Sequence, residues 1–243
     1  MKTLVIPDLH QAPVLEQIET TIQKEQPDLT VFLGDYFDHF DDVPDDARRM
    51  ADWLSQSLED PQRLHLVGNH DVAYLWPGPA TTCPGYTEGK RFVIEEALGK
   101  QAAVKFRFHL SVDGWLLSHA GLASVWLPRK IDLSEIPSWL TQEEQHARTA
   151  FAEYRMHWFA AIGERRGGYS PAGGILWCDL HELEKSSVKG LKQLVGHTPG
   201  RDVRWKGPNC ICLDTNLGRG PQKYAVLEDG QIRIGSFESF EPS

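Results

Sequence analysis

Side chains that can bind metals or move protons recur in this chain directly after short apolar runs. Asp8 and His10 follow "TLVIP", and Asp35 and Asp38 follow "LTVFLG". Asn69, His70 and Asp71 follow "LHLVG"; His119 follows "WLLS"; His197 follows "LKQLVG". Carboxylate, imidazole and amide donors suit manganese, iron or zinc rather than a soft thiolate site. Asp8 and His10 stand two apart, which puts both side chains on one face of an extended segment. A carboxylate such as Asp35 can bridge two cations through its two oxygens. Two cations about 3.5–4 Å apart polarise a phosphoryl group and acidify a shared water. Each piece alone also fits a solvated turn: "GDYFD" reads as an Asx turn, and "SHAG" or "GHTPG" by itself says little. What points to a metal centre is the ordered set, each member at the end of an apolar run.

The elements that must position these residues follow from periodicity. "KTLVI", "DLTVFL" and "RLHLV" read as strands. Val14, Leu15, Ile18 and Ile22 mark one helix between them, and Met50, Trp53, Leu54 and Leu58 mark another, with Pro44 near its start. Alternation of strand and helix predicts an α/β layer with a largely parallel sheet. Ligands bind such sheets outside the C-terminal ends of the strands, so the five clusters are expected to converge. "PGPATTCPGYTEGK", at 77–90, reads as a long surface loop near the substrate, followed by a short helix from Phe92 to Leu98. Asp113-Gly114 and Asp229-Gly230 are hairpin signals. Residues 134–174 read as a helical insertion. Thr141 with Glu144 would cap its helix, and a stripe from Ala147 through Tyr154 and Trp158 would carry it to about Gly163. Strands are expected again in "LKQLVGH", "NCICLD", "KYAVLE" and "QIRIG".

Composition excludes some functions. The chain has 243 residues and a formal charge of −9. Broad binding to duplex nucleic acid leans on Lys and Arg, so it is not expected; bound cations would supply a local positive site. No run approaches the eighteen apolar residues of a membrane span, and the short N-terminal apolar run does not suit a signal peptide. The cytoplasm is the expected location. The cysteines, Cys83, Cys178, Cys210 and Cys212, lack CxxC spacing. Cys210 and Cys212 share one face of a strand, where a core role is expected.

The ordered motifs "DLH" (8–10), "GDYFD" (34–38), "GNHD" (68–71), "SHAG" (118–121) and "GHT" (196–198) resemble those of the calcineurin-like metallophosphoesterase superfamily. The resemblance implies a four-layer α/β/β/α sandwich: two mixed β-sheets face to face, flanked by helices, in a single domain spanning 1–243. It also implies two divalent metal ions, with manganese expected and iron or zinc as alternatives. Asp8, His10 and Asp35 would hold one metal; Asp35, Asn69, His119 and His197 would hold the other. His70 would be the general acid, oriented by Asp38, while a metal-bridging hydroxide attacks phosphorus directly. Asp71 would tie down its loop.

"GDYFD", "LWCD" (176–179) and "CLDTNLGRGPQKYAVL" (212–227) place the resemblance nearest the phosphoprotein phosphatase and diadenosine tetraphosphatase branch. Pro199 stands where many diesterases and nucleases carry a second histidine, which weighs against a nuclease. The branch follows its second motif with Arg-Gly; here the residues are His39 and Phe40, so bidentate capture of phosphate is lost there. His39, Arg201 and Arg204, with Lys206 nearby, are the substitutes the sequence offers; no match for a second phosphate-gripping arginine stands out. The expected activity is hydrolysis of a phosphomonoester, in a phosphoprotein or a small phosphorylated metabolite. The alternative is cleavage of a dinucleoside polyphosphate, with Tyr86, Trp126, Trp158 or Trp205 as a platform for the base. A non-catalytic scaffold is disfavoured because every expected position is filled.

Overall fold

Among the residues that the computed structural model describes, 1–11, 14–39, 41–79, 81–216 and 220–237, there are ten strands and six α-helices. Strands β1 (Thr3–Ile6), β2 (Leu29–Phe32) and β3 (Arg63–His65) run parallel. The hairpin of β9 (Lys223–Glu228) and β10 (Gln231–Ser236) extends that sheet antiparallel to β1, giving the order β10-β9-β1-β2-β3. The second sheet has the order β4-β5-β6-β8-β7, from β4 (His109–Val112), β5 (Trp115–Ser118), β6 (Lys192–Val195), β7 (Arg204–Lys206) and β8 (Cys210–Cys212). Strands β5, β6 and β8 are mutually parallel. The Asp113-Gly114 turn has φ of 48° and 75°, the doubly left-handed geometry that matches strand twist.

Period-two alternation makes the layers. Val5, Val31, Leu33, Ala225 and Leu227 of the first sheet pack with Val112, Trp115, Leu117, Leu194 and Ile211 of the second. The intervening residues Leu4, Ile6, Phe32 and Val226 face the other way, onto Ile18 of α1 (Leu15–Glu25) and Met50 and Leu54 of α2 (Pro44–Ser57). On the second sheet's outer face, Val195, Cys210 and Cys212 meet Leu180 and Leu183 of α6 (Leu180–Lys185). Each of the Val, Leu, Ile, Phe and Met side chains among them contributes about 1.5–3 kcal/mol on burial. The result is the expected α/β/β/α sandwich of two mixed sheets.

Several local expectations need correction. "GNHD" opens a short helix, α3 (Asn69–Leu75), and α4 starts at Glu88 and runs to Leu98, so the 77–90 loop is shorter than read. Helix α5 spans Ile136–Ala152. Thr141 therefore lies inside it and its hydroxyl donates to the Pro137 carbonyl, while Glu144 is buried against Arg148. The helix stops well before Gly163, because Tyr154 turns left-handed (φ 56°) and leaves its ring exposed. Arg204 and Lys206 belong to strand β7, not to a basic loop. Among the described residues no helix is long and apolar enough to cross a membrane. Phe40 and 217–219 of the 212–227 stretch lie outside the described residues.

Candidate active site

Parallel strands end on one rim, and this is what assembles the centre. Asp8 lies two residues past β1, Asp35 three past β2, Asn69 four past β3, His119 one past β5 and His197 two past β6. The turns are tight enough for backbones to touch. Gly34 has φ of 102°, and a Cβ there would lie 2.3 Å from the Gly68 nitrogen. Gly68 in turn sits against the Asp35 carboxylate. Asp71 ties these turns together: its carboxylate accepts the backbone N–H groups of Asp35, Tyr36 and Gly68 at 2.8, 2.9 and 2.8 Å.

The candidate ligands are oriented from behind. His119 Nδ1 lies 3.0 Å from the Leu33 carbonyl, so it carries the proton and leaves Nε2 bare. That Nε2 faces Asn69 Oδ1 at 2.9 Å, His197 Nδ1 at 3.1 Å and Asp35 Oδ2 at 3.4 Å. Asn69 Nδ2 points away, to Cys83 Sγ at 3.4 Å. A bare nitrogen surrounded by an amide oxygen, a carboxylate oxygen and a second imidazole is a knot of acceptors, and a cation relieves it. His10 repeats the pattern. Its Nδ1 faces the carbonyls of Asp38 (2.8 Å) and Phe37 (3.2 Å), and its Nε2 lies 3.5 Å from Asp35 Oδ2. Ligand atoms of His10, Asp35 and His70 fall into one tight group, and those of Asp35, His119 and His197 into another, with Asp35 common to both. Asp8 stands apart from both groups; its carboxylate accepts the His197 backbone N–H at 2.9 and 3.1 Å.

Electrostatics agree with a cation-binding floor. Burial pushes the Asp8 and Asp35 carboxyls well above their usual range, and repulsion adds to it, from Asp214 on Asp8 and from Asp8 and Asp71 on Asp35. Burial likewise raises Asp71 to about 6 and Asp214 to about 7. Burial depresses His10 to about 4 and His119 to about 3, and lowers His197 well below the usual value. Neutral imidazoles beside mutually repelling carboxylates form a donor set that divalent cations fit.

Beside this floor lies the pair expected to move protons. His70 Nδ1 is 3.0 Å from Asp38 Oδ2. Burial would raise Asp38, but hydrogen bonds from His70, Lys90 and Tyr74 outweigh it and hold the carboxyl below its usual range. A cleft of about 410 Å³ opens here, lined by residues that include His10, Asp35, Asn69, His70, His197 and His39. Pro84 and Gly85 of the 77–90 segment also line it.

The cleft holds residues that the sequence reading does not assign to the site. Asp214 and Asn216 follow β8 as the other site residues follow their strands, so the strand-end signal was present for them. Arg166, in a short 3₁₀ turn (Glu164–Arg166), also lines the cleft; nothing in its local sequence marked it. Its Nη2 lies 3.4 Å from both the His197 carbonyl and Thr198 Oγ1, and its Nε lies 3.3 Å from Asp179 Oδ2. Arg204 instead donates to the Thr198 carbonyl and to Cys212 Sγ, and neither it nor Arg201 is part of the lining. The proposed base platforms are elsewhere too. Trp126 and Trp158 stack on each other, Tyr86 packs on Tyr74, and Trp205 is exposed on β7. Trp177 does line the cleft, edge-on to His197.

Solved structures share this architecture. A cold-active protein-tyrosine phosphatase of a psychrophilic Shewanella species matches with a TM-score of 0.63 at 15% identity, over 97% of this chain and 78% of that one. A protein serine/threonine phosphatase from Saccharomyces cerevisiae matches at 0.55 and 16%, over 100% and 81%. A putative diadenosine tetraphosphatase matches at 0.52 and 14%, over 98% and 95%. No curated protein matches the chain in sequence. A family model described as calcineurin-like phosphoesterase matches residues 1–216, and the chain therefore belongs to that family of metal-dependent hydrolases acting on phosphoesters.

Proposed function

We propose that this protein is a phosphomonoesterase that uses two divalent metal ions, with manganese expected and iron or zinc as alternatives. Its substrate would be a small phosphorylated metabolite or a phosphoprotein. The observation that carries the reading is Asp35, whose carboxylate is common to two adjacent ligand groups at the floor of one cleft. His10 and Asp35, with Asp8 alongside, would hold one ion; Asp35, Asn69, His119 and His197 would hold the other. Bound ions would supply Lewis acidity toward the phosphoryl oxygens and a nucleophilic water at neutral pH.

The remaining work belongs to side chains. Asp38 keeps the Nδ1 proton of His70 engaged, which leaves Nε2 to protonate the departing oxygen. Arg166 offers a guanidinium in the cleft and takes the phosphate-gripping role that the sequence reading sought in Arg201 and Arg204. His39 lines the same cleft as a second donor. Four buried, unbridged cysteines support a cytoplasmic site of action.

A second reading, cleavage of a dinucleoside polyphosphate, is favoured by Trp177, whose ring could carry a base. The test is turnover by metal-stripped protein, with Mn²⁺ returned, on p-nitrophenyl phosphate, its bis-ester and a dinucleoside polyphosphate. Preferred monoester turnover supports the first reading; preferred anhydride cleavage replaces it with the second. Turnover unaffected by stripping sinks the metal assignment.

A further inference from the structure

Lys90 lies in the first turn of α4 and is 2% exposed. A lysine at a helix–helix contact is costly to bury unless its charge is matched and its protons are engaged. Here they are. Nζ lies 2.6 Å from Asp38 Oδ1 and 3.0 Å from each Asp42 oxygen. Tyr74 donates to the same Asp38 Oδ1 at 2.5 Å. Asp38 is thereby divided: one oxygen is taken from below by Lys90 and Tyr74, and the other is left for His70 Nδ1 at 3.0 Å. The Asp38 backbone is left-handed (φ 65°), and Gly85 packs so close to its side chain that an added Cβ would lie 2.8 Å from the Asp38 Cβ. Lys90 does not line the cleft and cannot reach substrate.

We propose that Lys90 is a positioning residue for proton transfer: by locking Asp38 Oδ1, it aims Oδ2 at His70 and so aligns the imidazole with the leaving group. The proposal rests on the assignment of His70 as general acid. Without Lys90, Asp38 and Asp42 lose their shared cation, and the Asp38 carboxylate is free to turn away. The imidazole then loses its fixed tautomer and direction. Losses of this indirect kind run about 10–100-fold.

The test is Lys90→Met, similar in length and apolar. With alkyl or phenyl phosphate, kcat should fall about 10–100-fold, while KM and Mn²⁺ content hold. With 2,4-dinitrophenyl phosphate, whose leaving group needs no proton, the fall should be small. In a His70→Ala background the substitution should cost almost nothing more, because both changes remove one function. An equal loss across leaving groups, or a full additional loss in the His70→Ala background, overturns the proposal. If Lys90→Met does not fold, Tyr74→Phe removes the other partner of Oδ1 and must show the same leaving-group pattern. Proton NMR of the metal-free protein separates this idea from the wider reading. The His70 Nδ1–H resonance, assigned by its loss in His70→Ala, should be present in the wild type and weakened in Lys90→Met. Its persistence unchanged counts against Lys90 whatever the enzyme hydrolyses. Wild-type protein inactive on every ester with Mn²⁺ bound overturns the general-acid assignment itself.

Discussion

At the residue scale, His70 and Asp35 make different demands on one cleft. His70 donates its backbone N–H to Asp35 Oδ1 at 2.9 Å while its ring is held by Asp38. Its ligand atom also falls in a group with those of His10 and Asp35. His70→Ala tells an acid from a ligand. As an acid, it should keep both metals and lose about 10²–10⁴ in rate, most with poor leaving groups; loss of a metal ion by elemental analysis would make it a ligand. Asp35→Asn should abolish turnover together with binding of at least one ion, and an unchanged metal count would remove Asp35 as the bridge. Arg166→Ala should lower kcat/KM for a phosphate dianion by about 10–100-fold, the weight of a charge-assisted hydrogen bond, with metal content unchanged. A steady-state comparison with unchanged kcat/KM would return the search to His39 and the basic residues around β7.

At the scale of elements, the site depends on turns that follow strands without slack. Gly34→Ala should cost more than the left-handed backbone alone, since the new Cβ would meet the Gly68 nitrogen at 2.3 Å. Gly99 has φ of 80° and ψ of 155°, a region that side-chain-bearing residues avoid, and nothing within 4 Å of its Cβ position, so Gly99→Ala isolates the backbone term, about 1–3 kcal/mol. Urea unfolding should place Gly34→Ala well below Gly99→Ala, and equal midpoints would mean that the turns do not press on each other. Helix α5 shows the opposite case. Its hydrophobic stripe continues past Ala152, but the backbone turns, and Trp158 joins a stack with Trp126 and Trp139 from outside the helix. Past Ala152 the periodicity recorded neither helix nor uniform burial: Trp158 packs in the stack, while Tyr154 and Ile162 are exposed.

At the scale of the whole molecule, buried titratable groups make the fold sensitive to acid. His65 hydrogen-bonds the Tyr36 and Ser57 hydroxyls at 3.0 Å through its two nitrogens, donating at one and accepting at the other, and stacks on Phe32. Burial depresses it from 6.5 to about 3. The unfolded chain takes the proton that the fold refuses, so this contribution is complete above about pH 6.5 and is lost as pH falls toward 3. For Glu25, burial opposes ionisation, but hydrogen bonds from Arg233, Lys2 and Tyr224 prevail and hold it at about 2. Its contribution is lost lower, from about 4.5 down to 2. Each of these two groups should lower the thermal midpoint as pH falls through its own window, while in the upper window the Asp71 and Asp214 carboxyls, held at about 6 and 7, act the other way. His65→Gln should remove its part of the upper slope; an unaltered slope would show that His65 does not carry it.

Much of the centre was legible in the sequence because of one geometric rule. A parallel strand is a short apolar run, its C-terminal end lies on the rim, and a ligating side chain just beyond it has nowhere else to go. Asp8, Asp35, Asn69, His119 and His197 obey that rule, and so does Asp214, which stands in the 212–227 motif but was not assigned to the site. Alternation within the strands likewise determined the layers, with Cys210 and Cys212 on one face and Ile211 on the other. The tertiary structure decided what depends on distant segments meeting. Arg166 reaches the cleft because the buried Glu182 carboxylate accepts the Arg165 and Gly173 N–H groups and sets the course of that loop. Lys90, which closes the stretch that reads as a surface loop, is buried because its ammonium meets carboxylates 48 and 52 residues away. Local pattern reports which face of an element is apolar; only the packed chain brings together charges that are far apart in sequence.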